Sequence, residues 1–191
     1  MKKLLMAAAF AGASLFNVAA LADDYQFDTE GQHAFIQFKI GHLGFSYIVG
    51  QFNQFDGSFS YDESNPAASK VSVTIDTSSV DTNHAERDKH LRSADFLEVD
   101  KYPEATFVSK SVKPMGDGKA QIVGDFTFHG VTKEVVIDAT HVGGGKDPWG
   151  GVRQGFEGTT KFALKDFGIP KDLGPASKEV EIYMSFEGVR Q

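Results

Sequence analysis

The sequence predicts an all-β fold, an antiparallel barrel or sandwich of about eight strands with one short helix. Apolar and polar residues alternate with a period of two in several short segments, which is typical of strands with one wet face. Turn residues separate these segments at regular intervals. A helical pattern occurs once, in a charged stretch, so the strand–helix alternation of a parallel sheet is missing.

The alternation is clearest in the last segment, where Val180, Ile182, Met184 and Phe186 share one face and charged or polar residues share the other. Similar patterns predict strands near residues 25–28, 34–40, 52–59, 71–75, 105–109, 122–128, 135–139 and 156–164.

Glycine-containing segments separate these strands. Gly41 to Gly50 predicts a turn or bulge, and Asp56-Gly57 predicts a break in the second strand region. Gly116 to Lys119 predicts a hairpin turn, and Gly143 to Gly151 predicts a flexible loop. Residues 165–178, rich in glycine and proline, predict a further loop.

The helical pattern follows Asn83, which is a plausible N-cap because Glu86 stands three residues later. Leu91 and Ala94 share one face, and Pro103 stops the pattern. The weak amphipathicity predicts a helix that covers a rim rather than one that fills a core.

The charged residues Arg87, Asp88 and Arg92 stand beside apolar ones on this helix. Two interpretations stay open for them. They tie the helix to the rim through ion pairs, or they form a solvated helix face.

Residues 1–22 predict a cleaved export signal. Lys2 and Lys3 precede the apolar run Leu4 to Val18, and Ala20-Leu21-Ala22 predicts cleavage after Ala22. The run is too short for a membrane span, which needs about 20 apolar residues. We therefore expect a periplasmic protein whose residues 23–191 form one domain.

The composition argues against several classes of partner and reaction. The net charge is −7, and it becomes −9 once Lys2 and Lys3 are removed, which argues against nucleic acid and against electrostatic docking on anionic lipid. The absence of cysteine excludes thiol chemistry. Phenylalanine is the outlier, at 17 residues against one tryptophan and five tyrosines. These rings either fill a plain core or line a cavity for an apolar guest.

Motifs for catalysis are missing from the sequence. It has no G-x-S-x-G elbow, and Gly116 to Ala120 lacks the Ser or Thr of a phosphate-binding loop. No carboxylate pair stands out, and Glu86 and His90 share a helix face without a third local metal ligand. We therefore expect a protein that is not an enzyme and that needs no metal or cofactor.

Eight groups of residues resemble those of the YceI-like family of bacterial lipocalin-like proteins. They are His33 with Phe38 and His42-Leu43-Gly44; Gly50-x-Phe52-x-x-Phe55-x-Gly57; Ser79-Val80-Asp81-Thr82; Arg87-Asp88-x-His90-Leu91-x-Ser93-x-Asp95-Phe96; Tyr102-Pro103; Gly124-Asp125-Phe126-Thr127-x-x-Gly130-Val131-Thr132; Asp147-Pro148-Trp149-Gly150; and Asp166-Phe167-Gly168. They keep their order over nearly all of residues 23–191. The run Ser79 to Phe96 is similar enough to the periplasmic enterobacterial member to suggest an ortholog.

The resemblance implies an extended eight-stranded antiparallel lipocalin-like β-barrel with a helix near its opening. It also implies a long apolar interior that holds a polyisoprenoid or a similar lipid, such as an isoprenoid quinone. Binding, transport or sequestration without chemistry is then the expected role. A homodimer stays open, and stable membrane insertion is not expected.

The alternation and the resemblance together predict a lipid-binding inner face. Its expected members are Ile36, Phe38, Ile40, Val73, Ile75, Phe126, Phe128, Ile137, Phe162, Ile182, Met184 and Phe186. Phe96, Leu97 and Trp149 are expected nearer the mouth. Two other functions stay open, namely a stress or structural module that acts through its surface and a hydrolase of lipid or glycan.

Overall fold

The computed structural model describes residues 22–171 and 173–191. The predicted export signal, apart from Ala22, lies outside the described residues. None of the helices within those two ranges is long and apolar enough to cross a bilayer.

The described residues form eleven strand segments and one α-helix. The strands are β1 (Asp23–Phe27), β2 (Ala34–His42), β3 (Ser46–Phe52), β4 (Phe55–Tyr61), β5 (Lys70–Asp76), β6 (Val80–Asp81), β7 (Glu104–Gly116), β8 (Lys119–Phe128), β9 (Val131–Lys146), β10 (Val152–Ala163) and β11 (Glu179–Arg190). The helix is α1 (Ala85–Arg92), and short 3₁₀ turns lie at Pro66–Ala68, Thr77–Ser79, Leu164–Phe167 and Pro175–Ser177.

The sheet closes because β1 pairs with β4 on one side and with β11 on the other. The closed ring runs β1-β4-β5-β7-β8-β9-β10-β11, with antiparallel pairing throughout. This arrangement confirms the predicted eight-stranded antiparallel barrel with one short helix and excludes a sandwich.

Three of the eight barrel positions are each made of two strand segments. β1 and β2 both lie along β11, which pairs with β1 through its last residues and with β2 from Val180 to Phe186. In the same way β3 and β4 follow one another, and β5 and β6 run beside them. Backbone hydrogen bonds from Asn53 to Ser79 (3.1 Å) and from Asp76 to Gln54 (2.9 Å) bridge the breaks. The chain therefore forms an up-and-down barrel of eight strands, three of which are each interrupted once.

Three predicted turns have different bounds in the structure. The turn within Gly41 to Gly50 is short, and β3 already begins at Ser46. The break predicted at Asp56-Gly57 falls instead at residues 53–54, between β3 and β4. Gly143 to Gly145 belong to β9, because pairing with β10 outweighs the low strand propensity of glycine.

Helix α1 begins one residue later than predicted. The N-cap is His84, whose Nδ1 accepts a hydrogen bond from the Arg87 backbone N–H at 3.2 Å. Asn83 has a φ of 60° and donates its backbone N–H to the Asp81 carboxylate at 2.7 Å. Asn83 is thus part of the turn that precedes the helix.

Hydrogen bonds to the chain around β6 hold α1 in place. The buried Asp88 carboxylate accepts from the backbone N–H of Thr82 at 2.8 Å and from its hydroxyl. Arg87 donates to the Thr82 hydroxyl at 2.7 Å and to its carbonyl at 2.8 Å. Arg92 donates to the Val80 carbonyl at 3.1 Å. The three charged residues therefore anchor the helix by hydrogen bonds to β6 and to Thr82, which follows it, and neither of the two open interpretations described this arrangement.

Phenylalanine rings lie across inward-facing glycines inside the barrel. A Cβ atom at Gly124 would stand 2.5 Å from Cζ of Phe107, and one at Gly50 would stand 2.3 Å from Cζ of Phe38. Gly57 and Gly188 are covered by ring carbons in the same way. The missing side chains make room for the rings, so part of the phenylalanine excess packs flat against the barrel wall.

An ionic cluster joins the β1–β2 break to the β9–β10 hairpin and to β11. The Arg153 guanidinium lies 2.5 Å from the Asp28 carboxylate, 2.6 Å from that of Glu187 and 2.8 Å from that of Asp147. His33 Nδ1 lies 2.9 Å from Asp28. The hydrogen bonds from His33 and Arg153 lower the pKa of Asp28 from 3.8 to about 2.

We predict that Gly124→Ala lowers the free energy of unfolding by about 1–3 kcal/mol, because its methyl group would meet Phe107 and, at 2.6 Å, the backbone oxygen of Val108. Urea unfolding measures the effect. Gly143→Ala is the matched control, since nothing lies within 4 Å of its added Cβ. Equal midpoints for the two variants would contradict this account of the core.

We predict that Asp28→Asn is less stable than the unchanged protein near pH 6, by on the order of 1 kcal/mol. The folded-state pKa of Asp28 is depressed, so its stabilising contribution is present above about pH 4 and is lost as the pH falls toward 2. The difference in unfolding free energy should therefore vanish across that interval. Glu30→Gln, at an exposed carboxylate in the same turn, should show no such trend. A constant Asp28→Asn deficit down to pH 2 would refute the assignment.

Candidate ligand-binding site

The barrel encloses two apolar chambers near opposite ends of β11. We call the one beside α1 the helix chamber and the other the far chamber. The helix chamber has a volume of about 340 Å³ and includes Val180 and Ile182 of β11 in its wall. The far chamber has a volume of about 220 Å³ and includes Met184 and Phe186. The inward-facing residues of β11, which are every second residue, therefore contribute to the walls of both chambers.

The helix chamber is covered by α1 and by the segment that follows it. Leu91 of α1 and the buried Phe96 and Leu97 close one side. Ile169 and Leu173, from the connection between β10 and β11, close another. The remaining wall comes from strand residues, chiefly Phe38, Ile40, Ile48, Phe52, Phe128 and Phe162.

The far chamber lies between the β4–β5 connection and the β7–β8 hairpin. Aromatic contacts shape it, because the Phe156 ring lies edge-on to those of Phe59 and Tyr61 at centroid distances of 5.3 and 5.1 Å. His141 and Gln154, joined by a 2.7 Å hydrogen bond, supply polar groups near its wall. The rest of the wall is mainly apolar.

Three of the predicted inner-face residues line neither chamber. Ile36 pairs across the sheet with Met184 of the far chamber and with Phe52 of the helix chamber. Ile75 belongs to the apolar core, and Phe126 packs against that core. We call these three residues the middle layer, because each lies on a strand beside residues that line a chamber.

Most of the sequence-predicted site residues lie on these walls. Phe38, Ile40, Phe96, Leu97, Phe128, Phe162 and Ile182 line the helix chamber. Val73, Ile137, Met184 and Phe186 line the far chamber. Ile36, Ile75 and Phe126 form the middle layer.

Trp149 is placed differently from the expectation that it lies near the mouth with Phe96 and Leu97. It is 77% exposed in the β9–β10 hairpin, at the end of β11 away from α1. Its ring centroid lies 5.4 Å from the Arg153 guanidinium carbon. Three predicted strands lie between the helix and this loop, and an odd number of antiparallel strands ends at the opposite side of the barrel. Counting the strands could therefore have separated the loop from the helix.

The inner-face prediction missed several wall residues. Val180 and Phe156 have the same alternation as their predicted neighbours, so the pattern could have identified them. Ile169 and Leu173 lie in a connection without periodicity. No local signal in the sequence indicates that they turn inward.

Polar groups in the helix chamber are few and mostly basic. His42, Arg87, His90 and Lys171 line it, and the described lining residues include no carboxylate. Asp95 lies just outside, with its carboxylate 2.9 Å from His90 Nε2 and 3.7 Å from Lys171 Nζ. The hydrogen bond from His90 and the charge of Lys171 lower the pKa of Asp95.

One group of side chains has metal-binding geometry. Ligand atoms of Asp28, His33 and Glu187 all lie within 4.8 Å of one another. The Arg153 guanidinium already contacts both carboxylates, so a cation would have to displace a charge-assisted pair. The arrangement fits a structural clamp better than a metal centre.

Comparison with known proteins agrees with this architecture. The YceI-like domain family matches residues 25–188. A protein of Ectopseudomonas mendocina is 61% identical over the full length of both chains, and Protein YceI of Shigella flexneri is 59% identical, also over the full length of both.

Solved structures share the fold. The YceI protein of Campylobacter jejuni aligns with a TM-score of 0.72 at 29% identity, over 80% of this chain and 90% of its own. BcnA of Burkholderia cenocepacia aligns with a TM-score of 0.74 at 22% identity, over 84% and 98%. A polyisoprenoid binding domain from Saccharophagus degradans aligns with a TM-score of 0.64 at 14% identity, over 90% and 99%. The closed barrel, the family match and the full-length relatives together establish that this chain belongs to the YceI-like family.

Proposed function

We propose that this protein binds long apolar lipids, such as polyprenyl chains or isoprenoid quinones, inside its barrel and carries or sequesters them without chemistry. The observation that carries the proposal is the pair of adjoining chambers with walls made almost wholly of carbon. The predicted export signal favours the periplasm as the place of action. The Saccharophagus degradans domain, whose name records polyisoprenoid binding, shares the fold and supports a lipid ligand.

The expected affinity follows from burial. Each sheltered methylene contributes about 0.8 kcal/mol, so about ten carbons supply roughly 8 kcal/mol before the costs of association. That gross value corresponds to a dissociation constant of about 1 μM. Because one methylene more or less changes little, the site should tolerate different apolar tails.

Chain length should decide how much of the interior is used. A short chain fits the helix chamber alone, whereas a long one must pass Ile36, Ile75 and Phe126 to reach the far chamber. These are uncharged side chains, and Phe126 has ring neighbours on β8 and β10 that can move with it. We infer that long chains bind by displacing this layer and so gain the area of both chambers.

The direct test is native mass spectrometry of the protein isolated from its own cell envelope, followed by solvent extraction and lipid identification. We expect a stoichiometric isoprenoid or similar long-chain lipid. An empty protein that also fails to take up added polyprenols and quinones would overturn the proposal and favour action through the surface.

Chamber-filling variants test where the chain lies. Ile182→Trp fills the helix chamber and should lower affinity at least about tenfold for prenols of about three and of about eight isoprene units. Ala139→Trp fills the far chamber and should weaken only the longer one. Tryptophan fluorescence or calorimetric titration measures both.

Lys161→Trp is the matched control, because Lys161 is exposed on β10 and lines neither chamber. It should bind both prenols as the unchanged protein does. Equal affinities for all three variants would place the lipid outside the barrel and contradict the proposal.

A further inference from the structure

The turn between β2 and β3 exposes four large apolar side chains within seven residues. The exposed fractions are 62% for Leu43, 88% for Phe45, 68% for Tyr47 and 54% for Val49. We call these four residues the apolar hairpin. Single exposed apolar residues are ordinary on a protein surface, but a contiguous group marks an interaction site.

The apolar hairpin adjoins the opening of the helix chamber. Leu43 is exposed and also lines the chamber. Along β3, Ile48 lines the chamber while its neighbours Tyr47 and Val49 point outward. An apolar surface therefore continues from the outside of the hairpin, over its tip, to the inner wall.

The hairpin is built to project rather than to fold back. The Phe45 backbone N–H donates to the His42 carbonyl at 2.9 Å, and Leu43 and Gly44 have φ angles of 54° and 79°. Its base is fixed by the Ser177 hydroxyl, which donates to the Gly41 carbonyl at 2.6 Å. The exposure of Phe45 is thus a property of an ordered turn.

The helix chamber does not share the negative charge of the chain as a whole. Its wall carries the cations Arg87 and Lys171, and the described lining residues include no carboxylate. Lys171 is paired with Asp95, and Arg87 is bonded to Thr82 beside the buried Asp88. These pairings leave the opening close to neutral, although the chain carries a net charge of −7.

We propose that the apolar hairpin docks this protein reversibly on a lipid bilayer, so that lipid enters the helix chamber directly from the leaflet. This inference rests on the proposed lipid-binding function. Phe45 and Leu43 would enter the interface, and Tyr47 would lie at headgroup depth.

A second copy of the chain is the competing occupant of this surface. The exposed part of the apolar hairpin is on the order of 500 Å², given the sizes of these side chains, which is comparable with the apolar part of a stable interface of about 800 Å² per partner. The bilayer is favoured because the apolar surface continues through Leu43 into the chamber. β3 also leaves an edge next to Tyr47 and Val49, because β6 pairs only with Gln51 and Phe52. Dimerisation through that edge is therefore an outcome that the experiment must distinguish.

Tryptophan fluorescence provides a sharp test, because the single native tryptophan, Trp149, lies at the other end of the barrel. The double variant Phe45→Trp/Trp149→Phe places the sole tryptophan at the hairpin tip. With vesicles of phosphatidylethanolamine and phosphatidylglycerol, we expect a blue shift and quenching by brominated acyl chains. The unchanged protein should show neither, since Trp149 stays in water.

A negative charge introduced at the tip gives the functional readout. Phe45→Glu should lower co-sedimentation with these vesicles, and the rate of prenol uptake from them, by about tenfold or more. Val142→Glu, at an equally apolar and 68% exposed site on β9, is the matched control and should change neither. Uptake from detergent solution should be unchanged in both variants, which separates a docking defect from a binding defect.

Three outcomes would overturn the proposal. The first is a tip tryptophan whose fluorescence does not change when vesicles are added, although the protein still binds prenols from detergent. The second is an equal loss of vesicle binding in Phe45→Glu and Val142→Glu. The third is a blue shift that depends on protein concentration without vesicles, which would assign the surface to a second copy. Failure to bind prenols from detergent would instead refute the proposed function.

Discussion

The double pairing of β1 is the constraint on which the other features depend. By bonding to β4 on one edge and to β11 on the other, this five-residue strand closes the ring and leaves no open edge there. Because the sheet is closed, it has an interior. The glycines and phenylalanines that face this interior pack against one another along its wall. The ionic cluster around Arg153 fixes β1 to the β9–β10 hairpin at the point where the strand breaks.

The size of the interior follows from a balance between rings and glycines. Eight strands give an interior that side chains can either fill or leave open for one small ligand. Where a phenylalanine lies flat over a glycine, as Phe38 does over Gly50, the ring packs against the barrel wall and leaves space at the centre. The middle layer of Ile36, Ile75 and Phe126 has no such glycine partner and lines neither chamber. The two chambers result from this difference.

The sequence predicts the strands well because an inner face that is apolar and an outer face that is wet impose a period of two. Eleven of the fifteen proposed site residues lie on a chamber wall, and this alternation identified all of them except Phe96 and Leu97. It also predicts three antiparallel strands between α1 and Trp149, which is enough to place them at different ends of the barrel, so that error was avoidable. The alternation could not identify Ile169 and Leu173, because their inward direction is set by tertiary packing. The N-cap at His84 was missed by one residue, since a left-handed Asn83 precedes it.

A protein that carries a water-insoluble chain has to meet two opposing structural requirements. The chain has to be hidden from water in transit, which favours closure, and it has to leave a membrane, which favours an opening with apolar margins. In this barrel the ends are not equivalent. One carries the β9–β10 hairpin with the ionic cluster around Arg153, and the other combines the hydrogen-bonded helix α1 with the exposed apolar hairpin. Asp88 and Thr82 hold the helix firmly, whereas the neighbouring turn is fixed mainly at its base. In the proposed carrier, that asymmetry would make the turn rather than the helix the place where lipid enters the helix chamber.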